Sequence, residues 1–443
     1  MPLPPPRRQV RGTWNELHQA VRDGSADRTE ALLAMGTVDV NQGDEKGVTP
    51  LIVAAGVGNS HVVRILLDRG AQVLVITDEG VTALHFSAGR GHVAIVKMLV
   101  EAGADKDGKS PGFGAPLHMA AEKGHWEVMR VLIAAGANPN SQRLDGRTPL
   151  FLAAQNGHVD AVREPLRAKA NPLLPATNPA GFTYIPLDMA AERGYLDVVR
   201  ELLQQFGVEG CGGESCGVNA LRSATKSQHV EVMAVLADAG VVDTGAALIA
   251  AARVGGEKSV KFLLQQKRLE HPAGVGAYVN NTVGTVGASP VISAVAGCMS
   301  WSPRIVRMLV DAGADIALAV SLSDVSGSVW FNDTPLAFTS QCIREKKSIG
   351  GGDATEKQLH VWQAIRRLLM RVEAIHAVSW SWASGVPCIA RAKQGSSGAK
   401  ATSTPLRLML PLMRRRAVAR RVLLTTLFRW GDDAVGKFRA DSC

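Results

Sequence analysis

Aromatic rings are scarce in this chain: Phe, Trp and Tyr supply 5% of its 443 residues. A core built around large rings is therefore disfavoured, whereas helices stacked closely through Ala and Leu need few. Cysteine is also sparse. The six copies (Cys211, Cys216, Cys298, Cys342, Cys388 and Cys443) all lie after residue 210, at no repeating spacing. That argues against a disulfide framework, and a chain of this length does not need one. No run approaches 18 uninterrupted apolar residues, so no membrane-spanning helix is expected. The opening Met1–Arg8 is rich in Pro and basic, without the apolar stretch of a signal peptide. Together these point to a reducing compartment, cytoplasmic or nuclear.

Several catalytic signatures are missing as well. Gly350-Gly351-Gly352-Asp353 lacks the Lys-Ser/Thr ending of a phosphate-binding loop. No His-Glu-x-x-His pair or kinase signature occurs. The sequence implies no cofactor and no enzyme. An activity hidden in residues 217–384 is the weakest of the functional readings.

The charge of +9 is not spread along the chain. Residues 385–443 hold 12 Lys+Arg against 3 Asp+Glu, which leaves 37 basic and 37 acidic residues before them. The first 384 residues are neutral and the end carries the whole excess, so a global argument for nucleic-acid binding would mislead.

What the chain has in abundance is a phrase repeated every 33 residues. It reads Thr49-Pro50-Leu51, Thr82-Ala83-Leu84-His85, Ala115-Pro116-Leu117-His118 and Thr148-Pro149-Leu150. Each copy is followed by a small pair (Ala54-Ala55, Ser87-Ala88, Ala120-Ala121, Ala153-Ala154) and then by Gly58, Gly91, Gly124 or Gly157. A hydroxyl before Pro predicts an N-cap with Pro in the first turn, where no N–H is needed. The small pair lets helices approach closely. The Gly ends the first helix, and a second helix follows, Val93–Ala102 in the template copy, with Ile95, Val96, Leu99 and Val100 on its buried stripe. Gly103 suits the left-handed position that closes it. A period of this size predicts a solenoid rather than a closed enzyme fold.

The phrase resembles the ankyrin repeat family, most strongly over residues 47–207. A more polar first copy, without Thr-Pro, spans Asn15–Asn41, as a terminal cap should. Pro165 stands where the second helix wants an interior Leu, and Lys169 replaces the closing Gly, which predicts a shortened or kinked helix. Weaker copies follow at Ala220–Gly240, Ala247–Gln265, Ser289–Asp315 and Thr334–Met370. The expected fold is all-α: a curved, elongated solenoid of about ten helix-turn-helix repeats with hairpin connectors, plus a basic helical tail. Its expected parts are a disordered Pro/Arg-rich start (1–12), regular repeats (13–216), degenerate repeats with insertions (217–384), a flexible linker (385–403) and a basic tail (404–443).

Six of the 11 histidines fall at repeat positions: His18, His85 and His118 after the Leu, and His92, His125 and His158 after the turn Gly. A metal ladder would need Cys or carboxylate partners recurring at ligand spacing, and none do. The resemblance implies that these rings bond between adjacent repeats. Cys211 and Cys216, in a Gly-rich loop, read as two free thiols or as a redox-sensitive pair. In the tail, Arg414-Arg415-Arg416 and Arg420-Arg421 mix with Leu and Val without separating into two helix faces. The tail is read as a partner-recruiting or self-packing helix, a contact for anionic membrane, or a nucleic-acid or nuclear-localisation patch. Six of the eight Trp lie beyond residue 300, which suggests a C-terminal core built differently from the Ala/Leu array.

Function follows from the solenoid. The resemblance implies binding of one or more partner proteins through hairpin tips and the exposed ends of first helices. The candidate tip residues are Lys46, Val48, Asp78, Glu79, Val81, Arg143 and Arg147. The candidate helix-end residues are Arg90, Glu122, Lys123, Gln155, Asn156, Glu192 and Arg193. Their mixed charges suit a specific polar-rimmed interface. A second reading makes the chain an adaptor that recruits a substrate while its tail docks on a larger assembly, such as a ubiquitin ligase.

Overall fold

The computed structural model describes residues 12–178, 181–210, 213–243, 245–281, 289–296, 303–315, 320–323, 329–333 and 363–372. The chain separates into two compact units, Met1–Ala377 and Val378–Cys443, and the second lies wholly outside the described residues. The expected linker and basic tail, Arg414–Arg421 included, fall there.

Helices come in pairs: α1 (Glu16–Arg22) with α2 (Ala26–Ala34), α3 (Pro50–Val57) with α4 (Ser60–Asp68), α5 (Ala83–Arg90) with α6 (Val93–Glu101), and α7 (Pro116–Lys123) with α8 (Trp126–Ala134). Next are α9 (Pro149–Gln155) with α10 (Val159–Arg167), then α11 (Pro186–Arg193) with α12 (Leu196–Gly210), broken at Gly207. Then come α13 (Gly213–Lys226) with α14 (Val230–Asp238), α15 (Ala246–Val254) with α16 (Glu257–Glu270), a short α17 (Val275–Val279), and α18 (Pro290–Ala296) with α19 (Pro303–Asp311). First helices pack on first helices and second on second, so each repeat completes its neighbour's core. Leu51, Leu84, Leu117, Leu150 and Leu187, one per repeat, are all buried in this single continuous core. Truncating any one to Ala would cost about 2–5 kcal/mol.

Local chemistry sets the element ends as the phrase predicts. Thr49, Thr82 and Thr148 are N-caps whose hydroxyls accept the backbone N–H of Ile52, His85 and Phe151. Pro50, Pro116, Pro149 and Pro186 sit in first turns. The connectors are five-residue turns closed by one bond each: Asp44 N to Val48 O, Thr77 N to Val81 O, Arg143 N to Arg147 O and Asn178 N to Phe182 O, all 2.9–3.0 Å.

Two expectations need correction. Helix α10 is neither shortened nor broken at Pro165: it spans nine residues, like α4, α6 and α8, with Pro165 inside and buried. Pro165 lies in the last turn, where packing against α8 and α12 holds the backbone despite the lost N–H. Lys169 then takes the left-handed conformation, φ 59°, that Gly occupies in sister repeats. The all-α repeat fold is as expected, and the strands among the described residues are confined to two short hairpins. Strands β1 (Ala176–Thr177) and β2 (Thr183–Tyr184) pair antiparallel, using the two extra residues before Pro186, and β3 (Val320–Ser323) pairs with β4 (Val329–Asp333). Helix α16 runs to Glu270 rather than Gln265, because no Gly stops the helix-forming run Gln266–Glu270. Nine helix pairs are present among the described residues. Of the tenth, expected over Thr334–Met370, the described part is a helix at residues 363–372.

Candidate interaction surface

His18, His85 and His118 occupy the third position of their helices. Each Nε2 donates to a backbone carbonyl belonging to the connector of the following repeat: Val48 O at 3.0 Å, Gly114 O at 2.9 Å and Ser141 O at 2.9 Å. Each Nδ1 accepts the N–H of the cap residue behind it, Asn15, Thr82 or Ala115. Both ring nitrogens of a neutral imidazole are thereby used. Burial lowers the pKa of all three, to about 4 for His118, where Arg143 and Lys109 add repulsion.

A second set works through shape. A Cβ added at Gly91 would lie 2.6 Å from His125 Nδ1, and one at Gly124 would lie 2.7 Å from the His158 ring. Each turn Gly is thus a socket for the ring of the next repeat. The series continues with Tyr195 on Gly157 and His229 on Gly194. Burial lowers the His125 pKa, and the neighbouring His158 and His92 push the same way. These rings fasten repeat to repeat, and no group of three metal-binding side chains occurs among the described residues. Cys211 lies outside the described residues, and so does the side chain of Cys216.

With the histidines accounted for, the connectors stand out as a linked ribbon. The carbonyl of Lys46 accepts from Asp78 N at 3.0 Å, that of Glu79 from Ser110 Oγ at 2.7 Å, that of Gly112 from the Arg143 guanidinium, and that of Asp145 from Thr177 N at 3.1 Å. Five successive tips therefore form one surface.

On this ribbon Lys46, Asp78 and Glu79 are exposed. Val81 is not: only 2% of it is accessible, because its side chain turns into the core at the base of the hairpin, so it offers no side-chain surface to a partner. Val48 is half-buried and its backbone is spent on Asp44 and His18. Arg143 is held against Glu122 at 3.2 Å, and Arg147 pairs with Asp145 at 3.3 Å and covers the Phe151 ring. At the helix ends, Arg90, Lys123, Asn156 and Arg193 are exposed, while Glu122, Gln155 and Glu192 are half-buried.

Sequence reasoning that looked for charge at the tips missed their apolar residues. Phe113, Leu144 and Phe182 occupy three successive tips and are 41%, 88% and 64% exposed. The signal was a large apolar side chain in a slot that usually holds Asp, Gly or another turn former. Also missed was Asp243, whose carboxylate accepts the N–H groups of Gly245, Ala247 and Leu248 and the Tyr278 hydroxyl at 2.7 Å. With Lys267 and Glu270 nearby it lines a pocket in the degenerate region. Its oxygens are saturated by four donors, three of them backbone N–H groups at the start of α15, whose N-cap residue Gly245 has no side chain to do this.

A stack of paired helices joined by linked turns, with its polar side chains engaged in repeat-to-repeat bonds, is a helical repeat solenoid. A family model described as ankyrin repeats matches the chain in three copies, at residues 17–110, 117–211 and 187–273, together more than half of its length. The chain belongs to the ankyrin repeat family. Repeats of this family generally mediate protein–protein interaction.

Proposed function

We propose that the array is a non-catalytic scaffold that binds a partner protein through the connector ribbon and the adjoining ends of the first helices. The observation that carries this reading is the row Phe113, Leu144 and Phe182, three large apolar side chains on bonded neighbouring tips. Contiguous exposed apolar surface rimmed by charge is what a binding site offers. Here the rim is Lys46, Asp78, Glu79, Lys123 and the Arg143–Glu122 pair. The saturated state of Asp243 supports a structural rather than a catalytic role for the pocket beside it. The absence of a disulfide pattern supports a cytoplasmic or nuclear setting.

The test is affinity capture with the full chain carrying Leu144→Asp and Phe182→Asp. These exposed positions should tolerate Asp, so the fold should survive while partner recovery falls about tenfold or more. Unchanged recovery from a folded variant would refute the ribbon as the contact surface. A parallel capture without residues 385–443 checks the adaptor reading: loss of a separate group of proteins with the tail would support it.

A further inference from the structure

The connectors carry mixed charge, but the first-helix face further along does not. Helices α11, α13 and α15 are consecutive first helices in direct contact. Arg222 and Lys226 are four residues apart on α13, on one face, and Arg253 lies on α15 beside them. All three are exposed. Among the described residues none of them forms an ion pair, whereas other cations of the array do: Arg143 with Glu122, Arg163 with Glu201 at 2.8 Å and Arg167 with Glu164 at 2.9 Å. Arg193 on α11 adds a fourth exposed cation.

The elements packed most closely against α13 and α15 are α11, α12, α14, α16 and α18, the last without a charged residue. Helix α11 contributes Glu192, half-buried, and Asp188, a buried carboxyl that accepts the N–H of Ile185 and whose Oδ1 has no partner. On the second helices, α12 carries Asp197 and Glu201 against Arg200 and α14 carries Glu231 and Asp238 with no cation, whereas α16 carries Lys258, Lys261, Lys267 and Arg268 against Glu257 and Glu270. Among the described side chains of α13 and α15 the charged ones are Arg222, Lys226 and Arg253 alone, so the first-helix face is positive. Lys226 registers it, since burial and then the neighbouring Arg222 lower its pKa, with Arg253 adding to them.

We infer that Arg222, Lys226 and Arg253 form a receiving site for an Asp/Glu-rich segment of a partner protein. The inference rests on the reading of the array as a protein-binding scaffold and adds the chemistry of the partner. Stacked helices lie roughly 10 Å apart, about one Debye length at physiological salt. Three cations on two neighbouring helices therefore attract an anion jointly. The match is to a short peptide rather than to nucleic acid. A nucleic-acid groove typically engages about six to ten phosphates. This cluster offers three close cations with Glu192 beside them, fewer than such a groove engages.

The test uses the full-length protein and a fluorescein-labelled octaglutamate peptide, read by anisotropy, beside octalysine and a short oligothymidine. Octaglutamate should bind at about 50 mM salt and weaken severalfold at about 300 mM. The Arg222→Gln/Arg253→Gln variant should bind about tenfold more weakly, and Arg253→Lys alone should bind nearly as well as the parent. If the double variant unfolds by circular dichroism, Lys226→Met replaces it and should show a loss of about threefold. Three results would each overturn the inference: no octaglutamate binding, an affinity unmoved in a folded variant, or tighter binding of oligothymidine. The Leu144→Asp/Phe182→Asp variant should bind octaglutamate as the parent does. If partner capture still depends on Leu144 and Phe182 while octaglutamate fails to bind, this inference falls and the scaffold reading stands.

Discussion

His118 is 0% exposed and uses both ring nitrogens, one toward Ala115 and one toward Ser141 in the next connector. Protonation would place a new N–H against the N–H of Ala115. The folded-state pKa is therefore held near 4, against 6.5 when free. The unfolded chain takes up the proton first, so the stability from His118 is complete above about pH 6.5 and drains away as pH falls toward 4. The shift corresponds to roughly 3 kcal/mol at most. His18 and His85 act in the same direction. Asp188 opposes them: burial raises its pKa to about 6, so it favours the folded state more as pH falls through 6 toward 4. Burial raises Asp311 and lowers His125 as well, so two carboxyls stand against four imidazoles and the histidines dominate. Urea midpoints should decline from pH 7 to pH 4.5, and His118→Gln should flatten that slope while lowering the midpoint at pH 7. A slope unaltered by the substitution would remove the repeat-to-repeat histidine bond as the cause. These roles were legible in part: the spacing of the histidines was visible, but which carbonyl each ring reaches was not, because the acceptor lies 23–30 residues away.

Among the elements, α10 shows a local rule outvoted by packing. Pro165 occupies the slot of Leu66, Leu99 and Leu132, each fully buried in its own repeat. Pro forfeits one helix bond and crowds the preceding carbonyl, at about 3 kcal/mol or more in a helix interior. Position in the last turn reduces that, so Pro165→Leu should stabilise the protein by about 2 kcal/mol. The measurement is a rise in urea midpoint with an unchanged slope. A fall would mean that the space around Pro165 has closed to suit the ring. Caps and first turns of α3, α5 and α9 were readable because Thr and Pro act on atoms three residues away. The α16 extension and the β3–β4 hairpin were not, because the 33-residue phrase no longer marks their ends.

For the described array as a whole, the bonds between connectors run from Lys46 to Thr177, while the later repeats rely on packing and on isolated locks such as Asp243–Tyr278. In a linear stack, stability is roughly the sum of repeats and their neighbour contacts. Native-state hydrogen exchange should therefore protect α3–α10 longest and release α16–α19 first, in contiguous blocks. Uniform protection along the array would contradict this.

The sequence by itself determined the repeat, its caps, its buried leucines and the family, because those depend on residues within one helical turn or at one fixed period. Tertiary structure decided which side chains are offered to a partner. It turned Val81 inward, tied Arg143 to Glu122, left Phe113, Leu144 and Phe182 outside, and brought Arg253 beside Arg222 and Lys226. The reason is physical. A local pattern dictates conformation, but exposure and charge balance are set by neighbours that stacking alone supplies.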